Sequence, residues 1–181
     1  GSRVFIQKNI FNRVVSELKD RAKDIVIGDP LDKKTQMGPL ATTIQVERAY
    51  NVITNSVKQG AKLIFGGQSP KHLDEGWYFE PTLLTCPHQN IDSVKTELFA
   101  PVISAISFNT EDDAIQMAND SKFGLAAGIF TENLARGHRV SEKIHSGIVW
   151  INTYRAISPI SPFGGFKHSG GSREAGMDAI H

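Results

Sequence analysis

Apolar residues recur along the first part of this chain at two different spacings. Between residues 11 and 25 they lie three or four positions apart, which predicts a helix that Asn9 could cap. Val46 to Val57 repeat that spacing before Gly60, a helix-ending residue. Shorter apolar runs predict strands; these are "RVFIQ" (3–7), "AKLIFGG" (61–67), "YFEPTLLT" (78–85), interrupted by Pro81, and "VISAISF" (102–108).

The rest of the chain continues the alternation. A threonine and an acidic first turn predict a helix in "TEDDAIQMAND" (110–120), and "ENLARGHRVSEKIHSG" (132–147) predicts another. "LAAGIFT" (125–131) and "GIVWINTY" (147–154) predict strands. Several strands are apolar at successive residues, which is typical of a sheet covered on both faces. We therefore predict an α/β domain with a mostly parallel sheet and helices on both faces.

Composition narrows the class of protein. The 181 residues suffice for one domain, and 40% hydrophobic with 22% charged residues are typical of a soluble globular chain. A net charge of +1, with lysines and arginines scattered, argues against nucleic-acid or membrane-surface binding. No apolar run reaches membrane-spanning length and no signal sequence opens the chain. We expect a cytoplasmic protein.

The segment "SPFGGFKHSGGSREAG" (161–176) is unusually rich in glycine. Its "GFKHSGGS" nearly spells a phosphate-binding P-loop, but Gly171 stands where that motif needs lysine. There is no G-x-G-x-x-G dinucleotide fingerprint in the chain either. The remaining interpretation is a loop that runs close to another part of the molecule, with Phe163 as an apolar wall and Glu174 as a polar group.

Cysteine and histidine give no clear catalytic or metal site. The single cysteine, Cys86, excludes an internal disulfide and, without a His/Cys cluster, a structural zinc site. Two residues after it comes His88, beyond Pro87, and side chains so spaced on an extended segment diverge. A buried structural thiol is therefore favoured over a nucleophile. The six histidines show no metal-ligand spacing, so no metal is expected.

Two polar positions lie next to buried strands, where ligands gather in α/β sheets. "KTELFAPV" (95–102) sets a carboxylate, Glu97, and a ring, Phe99, before the strand at 102–108. Phe99 either faces a ligand crevice or packs in the core. Asn152 comes late in an apolar strand, so it is either satisfied by a neighbour or directed at a ligand.

Taken together, the motifs resemble one family. "ELFAPV", "FGLAAGIFT", "SGIVWINTY" and "PFGGFKHSGGSREAG", in this order and spacing, closely resemble the C-terminal part of the NAD(P)-dependent aldehyde dehydrogenases. "GDPLDKKTQMGPL" (28–40), predicted as a loop, and "GWYFEPTLL" (76–84) fit the same family. The likeness covers essentially residues 1–181, which we interpret as a catalytic-domain fragment.

The resemblance implies an activity and roles for several residues. In the family, a cysteine thiolate attacks an aldehyde, hydride passes to the nicotinamide, and a glutamate activates water to hydrolyse the thioester. Glu97 would accept hydrogen bonds from the nicotinamide-ribose hydroxyls, and Phe99 would pack beside the nicotinamide. Glu174 would help order the water path. Asn152, Ile157 and Phe163 would line the substrate funnel.

The chain departs from the family pattern in places. Ala100 and Ser172 stand where glycine is common, and Ile157 occupies a position that is often aromatic. The family's nucleophilic cysteine lies a few residues before a "GSRV"-like strand, and this chain begins at Gly1. The general-base glutamate and the Rossmann cofactor domain are expected further upstream. A final strand that crosses to a partner subunit is expected beyond His181.

These departures lead to specific expectations. We expect the isolated chain to be inactive, with NAD or NADP held mostly by the absent domain. The parent enzyme would be a homo-oligomer, a dimer or tetramer, and uncovered apolar surface would favour self-association of the fragment. A non-enzymatic binding or assembly module and a small nucleotide-binding domain remain as alternatives.

Overall fold

The computed structural model describes residues 2–179, which divide into two compact units. The first unit comprises residues 2–108, and the second begins at Asn109. Both units mix helices and strands, and parallel strand pairs predominate in the first. This mixed, parallel-rich α/β architecture agrees with the predicted fold class.

The first unit is built on one four-stranded sheet. Its elements are β1 (Arg3–Gln7), α1 (Phe11–Lys23), α2 (Thr43–Lys58), β2 (Lys62–Phe65), β3 (Thr82–Thr85), α3 (Asp92–Lys95) and β4 (Val102–Phe108). The strands follow the order β1-β4-β3-β2. β4 pairs in parallel with β1 and with β3, whereas β2 joins the edge antiparallel to β3.

Helices cover both faces of this sheet, as the apolar runs predict. On one face, Ile6, Val15, Leu83 and Ala105 form a buried cluster against which α1 packs. Neighbouring residues of a strand point to opposite faces. Ser104, next to Ala105, donates a hydrogen bond to Ser93 of α3, whose N–H donates to Ser56 of α2. The second face is therefore covered by α2 and α3.

Two element boundaries in this unit differ from the sequence-based prediction. The predicted Asn9 cap is wrong, because residues 8–10 form a 3₁₀ turn and α1 starts at Phe11 with Ile10 in the N-cap position. The strand predicted over 78–85 begins only at Thr82. Pro81 has no N–H to donate to a ladder, which explains why pairing starts after it.

The second unit has shorter elements. They are α4 (Glu111–Asn119), β5 (Phe123–Gly124), β6 (Ala126–Ile129), α5 (Leu134–Ser141), β7 (Ile148–Ile151) and β8 (Phe166–Lys167). β6 and β7 pair in parallel, and β5 pairs with β8 antiparallel. A capping box between Thr110 and Asp113 starts α4, as its sequence predicts. The predicted strand 147–154 stops at Ile151, because Asn152 adopts a left-handed φ of +55°.

Candidate functional site

The segment between α3 and β4 turns Phe99 away from the core. Leu98 is buried and anchors the segment, while Phe99 has a φ of +50° and is 71% exposed. Left-handed backbone is costly for a bulky residue and concentrates at functional sites. The alternative in which Phe99 packs in the core is therefore wrong. Glu97, also exposed, lies two residues earlier.

Phe99 borders an open groove in the first unit. The groove has a volume of about 540 Å³ and is lined mainly by uncharged residues. Its walls are residues 36–40, Phe79, Phe99, Ala100 and Pro101. A flat ring beside uncharged walls offers a surface on which a planar heterocycle can pack.

Residues 36–40 line this groove, although the sequence analysis did not assign them to any site. The N–H groups of Gln36 and Met37 both donate to the carbonyl of Val26, and the N–H of Leu40 donates to the carbonyl of Trp77. These bonds hold the loop firmly along the groove. The motif "GDPLDKKTQMGPL" carried the family resemblance, so its ending "TQMGPL" was the available signal.

The glycine-rich segment of the second unit brings two predicted site residues together. Phe163 and Glu174 form an antiparallel bridge in which each N–H donates to the other's carbonyl at 2.7 Å. Opposed residues of such a pair project to the same side. The ring of Phe163, half-buried, and the exposed carboxylate of Glu174 therefore leave the backbone on one side.

Arg173 stabilises this segment through main-chain acceptors. Its guanidinium donates to the carbonyl oxygens of Gly165, Gly171 and Ser172, at 2.9, 3.2 and 3.1 Å. It also lies 5.1 Å from the centre of the Phe166 ring, a cation–π distance. The turn around Glu174 is thus held by its neighbouring side chain.

Close backbone approach explains part of the glycine content. A β-carbon on Gly147 would collide with the carbonyl oxygen of Gly164, and one on Gly164 would collide with the carbonyl oxygen of Ser172. At Gly171, in contrast, a β-carbon would meet nothing within 4 Å. The glycines make room for neighbouring main chain at these positions, as the loop interpretation predicts.

Asn152 directs its amide at a neighbouring loop. Its Oδ1 accepts from the N–H of Thr131 at 2.8 Å, and its Nδ2 donates to the Thr131 carbonyl at 2.9 Å. Of the two interpretations of this residue, the structure supports the first: hydrogen bonds to a neighbouring residue, Thr131, satisfy the Asn152 amide. Ile157, on the segment that follows Asn152, is exposed. A role for both residues in the substrate funnel stays a prediction.

Cys86 has the properties of a structural thiol. It is buried, whereas His88 is exposed, and its Sγ lies 3.8 Å from the hydroxyl of Ser93. Burial raises the pKa of the Cys86 thiol, while hydrogen bonds from Ser93 and Ser104 act in the opposite direction. A thiol that resists ionisation is a poor nucleophile.

Other kinds of site find no support between residues 2 and 179. Within that range, no group of three or more His, Cys, Asp or Glu side chains could hold a metal ion. No helix there is long and apolar enough to cross a membrane.

The predicted site residues are divided between the two units. Glu97 and Phe99 belong to the first unit, and Asn152, Ile157, Phe163 and Glu174 to the second. Their convergence on one crevice stays a prediction.

The comparison with protein families agrees with the motifs. Residues 1–181 match the aldehyde dehydrogenase family, and the chain belongs to that family. It is 47% identical over 180 residues to (Z)-2-((N-methylformamido)methylene)-5-hydroxybutyrolactone dehydrogenase of Acinetobacter baylyi. It is 44% identical over 182 residues to betaine aldehyde dehydrogenase of Brucella anthropi. Each match covers 99% of this chain but only 36% and 37% of the relatives, so the chain spans about a third of their length.

Solved structures show the same fold. Betaine aldehyde dehydrogenase from Staphylococcus aureus in complex with NAD⁺ superposes with a TM-score of 0.96 at 36% identity, covering 99% of this chain and 36% of that one. The NAD⁺ complex of aldehyde dehydrogenase from Bacillus cereus gives a TM-score of 0.95 at 39% identity, covering 99% and 36%. These matches show that the chain has an aldehyde dehydrogenase fold, a mixed α/β architecture with a parallel-rich sheet.

Proposed function

We propose that this chain forms part of an NAD(P)-dependent aldehyde dehydrogenase that oxidises an aldehyde to a carboxylate. The observation that carries the proposal is the outward-facing Phe99, on left-handed backbone, at the edge of the 540 Å³ groove. Membership of the aldehyde dehydrogenase family supports the proposal, because the role of Phe99 is the one that the family resemblance implies. Both relatives named above are dehydrogenases, and both solved neighbours are complexes with NAD⁺.

The residues around the groove fit a nicotinamide nucleotide. When bound, such a cofactor supplies the hydride acceptor. Phe99 offers a flat apolar surface to a ring, and the exposed Glu97 carboxylate can accept hydrogen bonds from two ribose hydroxyls. Residues 36–40 form a further part of the groove's lining. These features suit either NAD or NADP, since none of them reads the ribose 2′-phosphate.

The second unit supplies the substrate side in this proposal. Phe163 provides an apolar wall, and Glu174, bridged to it, helps order the water that reaches the general base. Asn152, whose amide is held by Thr131, fixes the start of the loop that carries Ile157. An isoleucine at this position removes one aromatic wall, so we do not expect a preference for aromatic aldehydes.

The nucleophile comes from outside this chain in the proposal. Cys86 is buried with a raised pKa, so the thiolate that attacks the aldehyde must be supplied by residues other than 1–181. The same holds for the general base and for most cofactor contacts. The parent enzyme would be a cytoplasmic homo-oligomer.

The test is aldehyde-dependent formation of NADH or NADPH by the full-length protein that carries this chain, with residues 1–181 alone as the control. We expect reduced cofactor from the full-length protein and none from the control. Product from the isolated chain would overturn the assignment of the nucleophile. A full-length protein that is folded but oxidises no aldehyde would overturn the enzymatic assignment and favour the binding or assembly module.

A further inference from the structure

The segment that directly follows β7, residues 152–156, is fixed at both of its ends by side-chain hydrogen bonds. At its start, the Asn152 amide pairs with both main-chain groups of Thr131. Towards its end, the indole N–H of Trp150 donates to the carbonyl of Ala156 at 2.7 Å. The Trp150 ring also packs edge-on against Tyr154, with 5.1 Å between ring centres. The backbone that carries residue 155 is therefore set by contacts made on either side of it.

Arg155 stands inside this fixed loop in a strained conformation. Its φ is +65°, a region that costs a non-glycine residue free energy and that concentrates at functional positions. The residue is exposed. Among the side chains that the structure describes, its guanidinium has no ion-pair partner and no hydrogen-bond acceptor. Arg173, in contrast, uses its guanidinium to hold main chain.

The position of this arginine suggests what it contacts. It lies between Asn152 and Ile157, two residues to which the proposed function gives a place on the substrate path. A guanidinium presents several N–H donors in a rigid fork that matches a carboxylate or phosphate. An arginine that neither stabilises its own loop nor pairs with an acidic neighbour is available for such a group.

We propose that Arg155 is a specificity-determining residue that binds the anionic end of an acidic aldehyde. This inference rests on the proposed function and names the substrate class for the same site. The aldehyde carbon would lie at the nucleophile, and a carboxylate elsewhere on the substrate would meet the guanidinium. The same charge disfavours an aldehyde that carries a quaternary ammonium group. Ile157 supports this preference, since an aliphatic side chain offers no cation–π contact to such a group.

The experiment compares three aldehydes with the full-length enzyme at low ionic strength. They are succinic semialdehyde, its neutral methyl ester and a trimethylammonium aldehyde of similar length. We expect kcat/KM for the acid to exceed that for the ester by about tenfold, the effect of one charge-assisted hydrogen-bonded contact. The advantage should shrink as salt is added. An equal or lower kcat/KM for the acid would overturn the proposal.

Variants at residue 155 test whether Arg155 causes the preference for the acid over its ester. Arg155→Gln keeps a β-carbon on the strained backbone but removes the charge, so it should equalise acid and ester. Arg155→Lys should retain part of the preference, and Arg155→Glu should favour the cationic aldehyde. Arg13→Gln, on the exposed surface of α1, is the matched control and should leave the acid-to-ester ratio unchanged. An acid preference that survives in Arg155→Gln would assign it to another residue and overturn the proposal.

The outcomes separate this proposal from the function it rests on. If the full-length protein oxidises none of the three aldehydes or any other, the proposed function fails. If it oxidises the neutral ester well while Arg155 variants change no substrate ratio, the function stands and the role of Arg155 is wrong. Should Arg155→Gln fail to fold, the salt dependence of the unmodified enzyme and the Arg155→Lys variant still decide.

Discussion

Different interactions stabilise the interior of each of the two units of this chain. In the first, a four-stranded sheet buries large apolar side chains on both faces, among them Phe79, Leu84 and Ile106. In the second, Val140 is the only buried hydrophobic residue that the structure describes beyond residue 108. There, stability rests on side-chain hydrogen bonds to main chain and on glycines that allow backbones to approach closely.

This difference affects what each unit can contribute to a site. A buried sheet is a rigid base, so the 540 Å³ groove and Phe99 rest on elements that tolerate little movement. The second unit presents loops whose shape depends on a few polar contacts. We expect that a substitution which removes one of these hydrogen bonds or glycines will reshape the loops of the second unit and leave the groove of the first unit unchanged. One tryptophan lies in each unit, Trp77 and Trp150, so variants in which the other tryptophan is replaced by phenylalanine let fluorescence follow each unit by itself.

The largest loss of stability is expected from the first unit's core. Phe79 is 1% exposed and packs edge-on against Tyr50, so Phe79→Ala should lower the free energy of unfolding by about 3–5 kcal/mol. Urea denaturation followed by Trp77 fluorescence measures the loss. Phe130→Ala, at a ring that is 70% exposed in the second unit, is the control. Equal effects of the two substitutions would contradict the contrast between the units.

A glycine substitution should destabilise the second unit. In Gly147→Ala, the added methyl group would meet the carbonyl oxygen of Gly164, so we expect a loss of about 1–3 kcal/mol. Gly171→Ala adds the same group in open space and should be nearly neutral. Denaturation monitored through Trp150 compares the pair. A Gly147→Ala variant as stable as Gly171→Ala would show that close backbone approach does not hold this unit together.

The amide of Asn152 should matter somewhat less. Asn152→Ala leaves the N–H and carbonyl of Thr131 without their side-chain partners, which should cost about 1–2 kcal/mol. Thr153→Ala, at the next exposed position, should have almost no effect. Hydrogen exchange at the Thr131 amide reports on the contact directly. Unchanged protection of that amide in Asn152→Ala would rule out the pairing.

The smallest effect is a pH dependence on the surface of the second unit. Arg139 donates two hydrogen bonds to Glu111, both at 2.7 Å, and these hold the pKa of the Glu111 carboxyl below its ordinary value. The carboxyl therefore adds stability above its ordinary pKa, and this contribution disappears as the pH falls through the lower, folded-state pKa. In Glu111→Gln, the free energy of unfolding, measured through Trp150 fluorescence, should therefore fall less steeply as the pH is lowered. An equally steep fall in Glu111→Gln and in the unmodified chain would exclude this carboxyl as its source.

The sequence predicts the elements well where a local signal determines them. The Thr110 cap and the continuous apolar run of β4 lead directly to α4 and to residues 102–108. Asn9 misleads, because the tight turn after β1 delays α1 in a way that helical spacing does not reveal. Tyr78 and Phe79 likewise led us to predict an earlier strand start, but β3 begins only after Pro81, which cannot donate a ladder hydrogen bond.

The candidate site is only partly predictable. The resemblance singled out Phe99, and its exposure removes the core alternative. It did not assign residues 36–40 to the groove, because that loop is brought there by hydrogen bonds from its own N–H groups to the carbonyls of Val26 and Trp77. The pairing of Phe163 with Glu174 also depends on a turn that glycines allow and Arg173 holds, neither of which spacing alone reveals.

The central claim is that the segment carrying Glu97 and Phe99 contacts a nicotinamide nucleotide. The most direct measurement is kcat/KM for the cofactor in the full-length protein with Glu97→Gln, compared with Glu75→Gln, an exposed glutamate elsewhere in the first unit. We predict a cofactor kcat/KM lowered by about tenfold in Glu97→Gln, since an acceptor for the ribose hydroxyls is weakened, and no change in Glu75→Gln. Identical cofactor kinetics in both variants would contradict the account.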